Sequence, residues 1–162
     1  MKTTTYKKLS PIYKKLLDKA EQVMKKGYSP YTNFYVGSAL LTTDNKIYSG
    51  SNIETASYVA ICAERAAISK AVSEGKYLFK AIAVISKCDH FDVTKIAGPC
   101  GICRQLLYEF SEVAKRDIIV INSTTKKDKI IITKISELMP LSFGPKDTKV
   151  DVSKYRKNYQ SQ

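Results

Sequence analysis

Residues 79 to 85 read Phe-Lys-Ala-Ile-Ala-Val-Ile, a run in which only Lys80 is polar. A strand this apolar has no face to offer to water, so it needs cover on both sides of its sheet. Segments of helical period stand ready to supply that cover. Ile12, Leu16, Leu17, Ala20, Val23 and Met24 recur at helical spacing, which predicts an amphipathic helix over residues 10–26, ended by Gly27. Residues 62–74 predict a second helix stopped by Gly75, and a third runs from Gly101 to about Val113. Phe34–Leu41 and Ile47–Ile53 are β-prone runs joined by Thr42-Thr-Asp-Asn-Lys46, which has hairpin chemistry. Ile118–Ile121 and Ile130–Ile132 add two more strands, making five. Helices alternating with buried strands predict an α/β fold, a three-layer α/β/α sandwich around a mixed five-stranded sheet.

The chain has 162 residues, 44% of them apolar and 26% charged, enough to bury a core without disulfide support. No linker or internal repeat divides it, so a single domain is expected, with its core at residues 10–148 and a basic C-terminal tail at residues 149–162. The apolar runs fall far short of the ~20 residues that cross a bilayer, and the N-terminus has no signal-peptide core. A cytoplasmic protein with reduced thiols is the expectation. The formal charge of +12 is peripheral: residues 1–28 carry eight lysines against two acids, whereas residues 29–112 carry eight charges of each sign. Aromatic residues are not interleaved with the lysines as a nucleic-acid stacking surface requires, so solvated lysine faces are expected rather than a nucleic-acid partner.

Three of the four cysteines sit at the starts of predicted helices: Cys62 in Cys-Ala-Glu-Arg65, and Cys100 with Cys103 in Pro99-Cys-Gly-Ile-Cys-Arg-Gln105. Residues three apart in a first helical turn share a face, and the positive end of a helix favours thiolate, the form that binds metal. With Cys62 approaching from the other helix, three thiolates would leave one tetrahedral position of Zn²⁺ for water, as in catalytic rather than structural sites. Taken alone, Cys100-Gly-Ile-Cys103 also has the form of a redox dithiol. That reading leaves Cys62-Ala-Glu without a role and would want the motif directly after an early strand. Glu64, two positions beyond Cys62, can reach a metal-held water and pass its proton to a substrate nitrogen. Cys88 and His90, the only histidine, make an incomplete ligand pair, and a second metal is not expected.

These motifs occur in a recognisable order. Tyr28-Ser-Pro-Tyr-Thr-Asn-Phe-Tyr-Val-Gly37, Asn52-Ile-Glu-Thr-Ala-Ser-Tyr58, Cys62-Ala-Glu-Arg65, Pro99-Cys-Gly-Ile-Cys-Arg-Gln105 and Leu138-Met-Pro-Leu-Ser-Phe-Gly-Pro145 follow one another. In this the chain resembles the small homotetrameric, zinc-dependent cytidine deaminases, from about Ser10 to Thr148. The resemblance implies hydrolytic deamination of cytidine and 2′-deoxycytidine to uridine and 2′-deoxyuridine plus ammonia, in pyrimidine salvage. It implies one Zn²⁺ per chain on Cys62, Cys100 and Cys103, with Glu64 as catalytic acid/base and Arg65 behind the ligand sulfurs. Phe34, Asn52 and Glu54 would then form the sugar pocket, the main chain of Ala63 would meet the pyrimidine, and Phe143 would stack on a base in a neighbouring subunit's pocket. Tyr35, Ser51 and Ala66 depart from the residues usual at those places. The resemblance also implies a homotetramer whose pockets neighbouring subunits complete.

Overall fold

The computed structural model describes residues 1–157. The chain begins with strand β1 (Lys2–Thr4), a short 3-10 turn at Tyr6–Lys8 and helix α1 (Pro11–Met24). The hairpin β2 (Phe34–Thr42) and β3 (Ile47–Ser51) follows, then α2 (Ala63–Ser73), β4 (Phe79–Cys88) and α3 (Gly101–Ala114). Strands β5 (Ile119–Thr124) and β6 (Ile130–Lys134), and the short helices α4 (Ile135–Leu138) and α5 (Ser153–Lys157), complete the order. Among the described residues, no helix is long and apolar enough to cross a membrane.

The strands form one sheet in the order β1-β6-β5-β4-β2-β3. The β4–β5 pair is parallel and the others are antiparallel, so the sheet is mixed as expected. It has six strands rather than five, because Lys2, Thr3 and Thr4 pair with Ile132, Ile131 and Ile130 along the outer edge. Three residues with no apolar alternation carry no strand pattern; the open edge of β6 recruits them. Helix α5 forms part of the expected tail, where Tyr155 meets Tyr77 edge-on at 5.3 Å between ring centres. Residues 158–162 of that tail lie outside the described residues.

Strand β4 is covered on both faces, as its composition demands. Ala81, Ala83 and Ile85 join Leu16, Leu17, Ala20 and Met24 of α1 in one core cluster. Phe79 and Ile82 join Ala67, Ile68 and Ala71 of α2 and Leu107 of α3 in the other. Small residues set how closely the helices approach. A Cβ on Gly37 would stand 2.0 Å from the Ala20 carbonyl oxygen, and one on Gly50 would stand 2.6 Å from the Ala67 nitrogen. The two glycines therefore let α1 and α2 lie against opposite faces of the same hairpin. Gly75 ends α2 at φ 71°, the left-handed conformation that favours glycine.

Gly37→Ala forces α1 away from β2, because the obstructing atom is backbone and cannot rotate aside. A loss of about 1–3 kcal/mol of stability is expected, with each kcal/mol lowering the melting temperature by about 2–4 °C at this length. An unchanged thermal melt would show that α1 does not rest on this glycine. Gly101→Ala, with nothing within 4 Å of the added carbon, serves as the comparison.

Candidate active site

Strands β3 and β4 are both antiparallel to β2, so they run in the same direction and end on the same side of the sheet. Helix α2 follows β3 and α3 follows β4, which brings both helix N-termini to that side. Beyond β3 the chain stays tied down: Ile53 exchanges backbone hydrogen bonds with Ile61, and the N–H of Glu54 donates to the Tyr28 carbonyl at 2.8 Å. That short ladder delivers Asn52, Glu54 and Cys62 to one place.

Cys62 caps α2 and Cys100 caps α3, each in extended conformation, while Cys103 lies in the first turn of α3 and is fully buried. The three Sγ atoms all lie within 4.8 Å of one another. Those of Cys62 and Cys100 stand 3.7 Å apart, too far for a disulfide and close to the ~3.8 Å between thiolates on one tetrahedral zinc. All four cysteines are free thiols. Burial and the neighbouring thiols and Glu64 push the Cys62 thiol up and the Cys103 thiol well above the usual range. Burial also acts upward on Cys100, yet the N–H groups of Cys103 and Ile102 and the adjoining thiols bring it below its ordinary value. Three thiolates cannot share this spot unaided. A divalent cation reverses the balance, and two helix N-termini assist it. The donor set fits zinc.

Glu64 is 4% exposed in the first turn of α2, and burial pushes its carboxyl above the usual range, with the Cys103 thiol acting against that. It lines a cavity of about 240 Å³ together with Cys62, Ala63 and Cys100. Phe34, Asn52 and Glu54 line the same cavity, so the structure gathers eight of the ten residues singled out from sequence around one hollow, counting Cys103 beneath it. The Asn52 amide donates to Ser29 Oγ at 2.7 Å and the Phe34 carbonyl at 2.9 Å, and its oxygen accepts the Val36 N–H at 2.8 Å. The Glu54 carboxylate accepts from the Thr32 hydroxyl and from the N–H groups of Tyr31 and Thr32 at 3.1 and 3.2 Å, which hold its pKa below the ordinary range. The Phe34 ring lies 6.5 Å from that of Phe91.

Two expected residues stand apart. Arg65 is half-buried and its guanidinium hydrogen-bonds to none of the described residues, while Phe143 is 63% exposed and does not line its own chain's cavity. Gln105 holds the Phe143 carbonyl at 2.9 Å. Cys88 turns its sulfur toward the Thr32 carbonyl at 3.9 Å, and the His90 Nε2 meets the Asn33 amide nitrogen at 2.8 Å. Sequence reasoning missed the cavity's remaining walls: Val36, Val84 and Ser86 on the sheet, and Ala60, Ile61, Ala97 and Gly98 in the loops. Ser86 left a mark, as the first polar residue after the apolar run; the others are indistinguishable from core or loop.

A family model described as the cytidine and deoxycytidylate deaminase zinc-binding region matches residues 11–120. The cytidine deaminase of Sporosarcina psychrophila is 38% identical over 134 residues, covering 82% of this chain and 92% of that protein. That of Halalkalibacterium halodurans is 40% identical over 133 residues, covering 82% and 94%. The crystal structure of cytidine deaminase from Burkholderia pseudomallei superposes with a TM-score of 0.71 at 36% identity, over 80% of this chain and 97% of that one. With the motif order and the gathered thiols already in hand, these likenesses make the chain a member of the cytidine deaminase family, a hydrolase.

Proposed function

We propose that this chain deaminates cytidine and 2′-deoxycytidine hydrolytically to uridine and 2′-deoxyuridine, releasing ammonia, as a step of pyrimidine salvage in the cytoplasm. The reading rests on one observation: three thiols meet within 4.8 Å, two of them at the wall of a cavity that a buried glutamate also lines. Cys62, Cys100 and Cys103 would hold one zinc ion per chain. Bound there, zinc supplies the Lewis acidity that makes water a nucleophile near neutral pH. Glu64 takes the proton from the attacking water and delivers it to the ring N3, then takes the proton of the new C4 hydroxyl and passes it to the amine, so that the C4–N bond breaks as the C4 carbonyl forms and ammonia leaves. Burial suits it to both tasks, since a raised pKa brings a carboxyl nearer to the pH at which it must give and take protons. Arg65 would offset the negative charge of three thiolates.

Sugar recognition falls to Asn52 and Glu54. Both amide hydrogens of Asn52 are in use, as are three of the acceptor positions of Glu54, which leaves lone pairs free to accept from hydroxyl groups. Ribose presents such hydroxyls. Among the described residues no lysine, arginine or histidine lines the cavity, which favours a neutral nucleoside over its phosphate ester. Ala63, fully buried at the start of α2, would present its main chain to the pyrimidine. We propose further that the assembly is a homotetramer in which Phe143 reaches a neighbour's pocket. Supporting this, Leu141 and Phe143 are 99% and 63% exposed, and Tyr58 and Val59, on the loop leading to Ala60 and Ile61 of the cavity wall, are 93% and 70% exposed.

Three outcomes follow from these roles. Glu64→Gln loses at least about 10²-fold in turnover while zinc content and melting temperature are kept; ultraviolet conversion of cytidine beside metal analysis reads both, and retained turnover removes Glu64 from the chemistry. Free cytosine, which lacks the sugar, is a poorer substrate by as much as about 10⁴-fold in kcat/KM. Comparable rates on cytosine and cytidine would contradict the roles of Asn52 and Glu54. Phe143→Ala raises KM for cytidine without changing zinc content, and light scattering on the unaltered protein gives four chains per particle; a fully active monomer would rule out the shared pocket.

A further inference from the structure

Among the described residues five serines are buried: Ser29, Ser38, Ser86, Ser111 and Ser123. Four of them satisfy their hydroxyls on the protein itself. Ser29 donates to the Phe34 carbonyl at 3.0 Å, Ser38 to that of Ala83 at 3.0 Å, Ser111 to that of Tyr108 at 2.7 Å, and Ser123 to that of Thr124 at 3.0 Å. Ser86 is 4% exposed, and while its backbone is part of the sheet its hydroxyl has no hydrogen-bond partner among the described residues. It is also the only one of the five that lines the cavity. Facing the cavity without a protein partner, that hydroxyl is open to hydrogen-bond whatever enters.

The sheet register fixes where that partner would sit. Ser86 lies directly opposite Val36, and Cys88 lies opposite Phe34. Asn52 braces this stretch of β2, accepting the Val36 N–H and donating to the Phe34 carbonyl. Ser86 therefore faces the cavity on the strand next to the residues assigned to the sugar, with Val84 two residues back along the same floor. Val36 and Val84, its neighbours on that floor, are apolar, and Thr124, its register partner on β5, does not line the cavity, so the Ser86 hydroxyl is the one polar group that the strands present to a ligand there.

We propose that the Ser86 hydroxyl hydrogen-bonds the nucleoside bound in this cavity and is a specificity-determining contact of the reaction. The inference rests on the deaminase reading above and adds a residue to it. Such a contact holds substrate and product alike, so its loss weakens binding without slowing the chemical step.

The test compares Ser86→Ala with the unaltered zinc-loaded protein and with Ser38→Ala, whose hydroxyl is bound within the sheet. For Ser86→Ala, KM for cytidine and the dissociation constant for uridine, measured by calorimetry, both rise about three- to tenfold, the effect of one ordinary hydrogen bond. Its kcat, zinc content and melting temperature stay close to those of the parent. Ser38→Ala shows the opposite pattern, a lower melting temperature with KM unchanged. If Ser86→Ala binds uridine and cytidine within twofold of the parent, the contact does not exist; if it melts early with KM unchanged, the hydroxyl serves the fold instead. Should the unaltered protein neither turn over cytidine nor bind uridine, the deaminase reading itself fails and this contact falls with it.

Discussion

Everything at the site depends on the direction in which two strands run. Because β2 pairs antiparallel with both β3 and β4, those two strands finish on the same side of the sheet, and the helices that follow them begin there. Two helix N-termini then point their positive ends at one spot, and the residues placed there are cysteines. The bare Gly50 lets α2 lie close against the sheet, as Gly37 does for α1 on the other face. Positioning the thiols on helix caps rather than on free loops is what allows sulfurs 38 residues apart in sequence to come within 3.7 Å.

The electrostatics of that convergence work against it until a cation is present. Burial and mutual repulsion raise Cys62 and Cys103, and the neighbouring Glu64 adds to the cost of charging Cys103. The backbone N–H groups of the α3 first turn favour charge on Cys100 alone. Metal affinity here is thus coupled to deprotonation: binding must release protons from thiols that otherwise keep them. The same burial that makes the thiols poor acids raises the Glu64 carboxyl, so one physical cause shapes both the ligands and the acid/base beside them.

Much of this was legible from residue order. Phe79–Ile85 declared a strand covered on both faces, Gly75 marked the end of α2, and the Thr42–Lys46 turn joined a true hairpin, with Asn45 at φ 65°. The shared face of Cys100 and Cys103 followed from motif spacing, and the convergence of Cys62 on them from the resemblance to the cytidine deaminases. What escaped was set by tertiary contact. Strand β1 exists because β6 offers an open edge, not because Lys2–Thr4 carry a strand pattern. The hydrogen bonds of Asn52 to both Phe34 and Val36, which make it a brace of β2 as well as a cavity wall, depend on the close return of the chain at Ser29. Ser86 could be read as one more strand residue until the register placed it opposite Val36.

The distribution of charge completes the separation between surface and site. The excess of lysine over acid lies at the ends of the chain, and several of these lysines are engaged locally: Lys127 pairs with Asp18 at 2.7 Å and Glu21 at 2.6 Å, and Lys126 pairs with Asp92 at 2.9 Å. The cavity, by contrast, is walled by Glu54, Glu64 and two of the thiols, with no cationic side chain among its lining residues. A distant positive surface is screened over about 8–10 Å in physiological salt and cannot stand in for a cation at the ligand. An anionic group entering the cavity would therefore find no cationic side chain there to pair with, only hydrogen-bond acceptors and an apolar floor. The overall charge of +12 is a property of the outer shell of this fold and does not describe what its cavity selects.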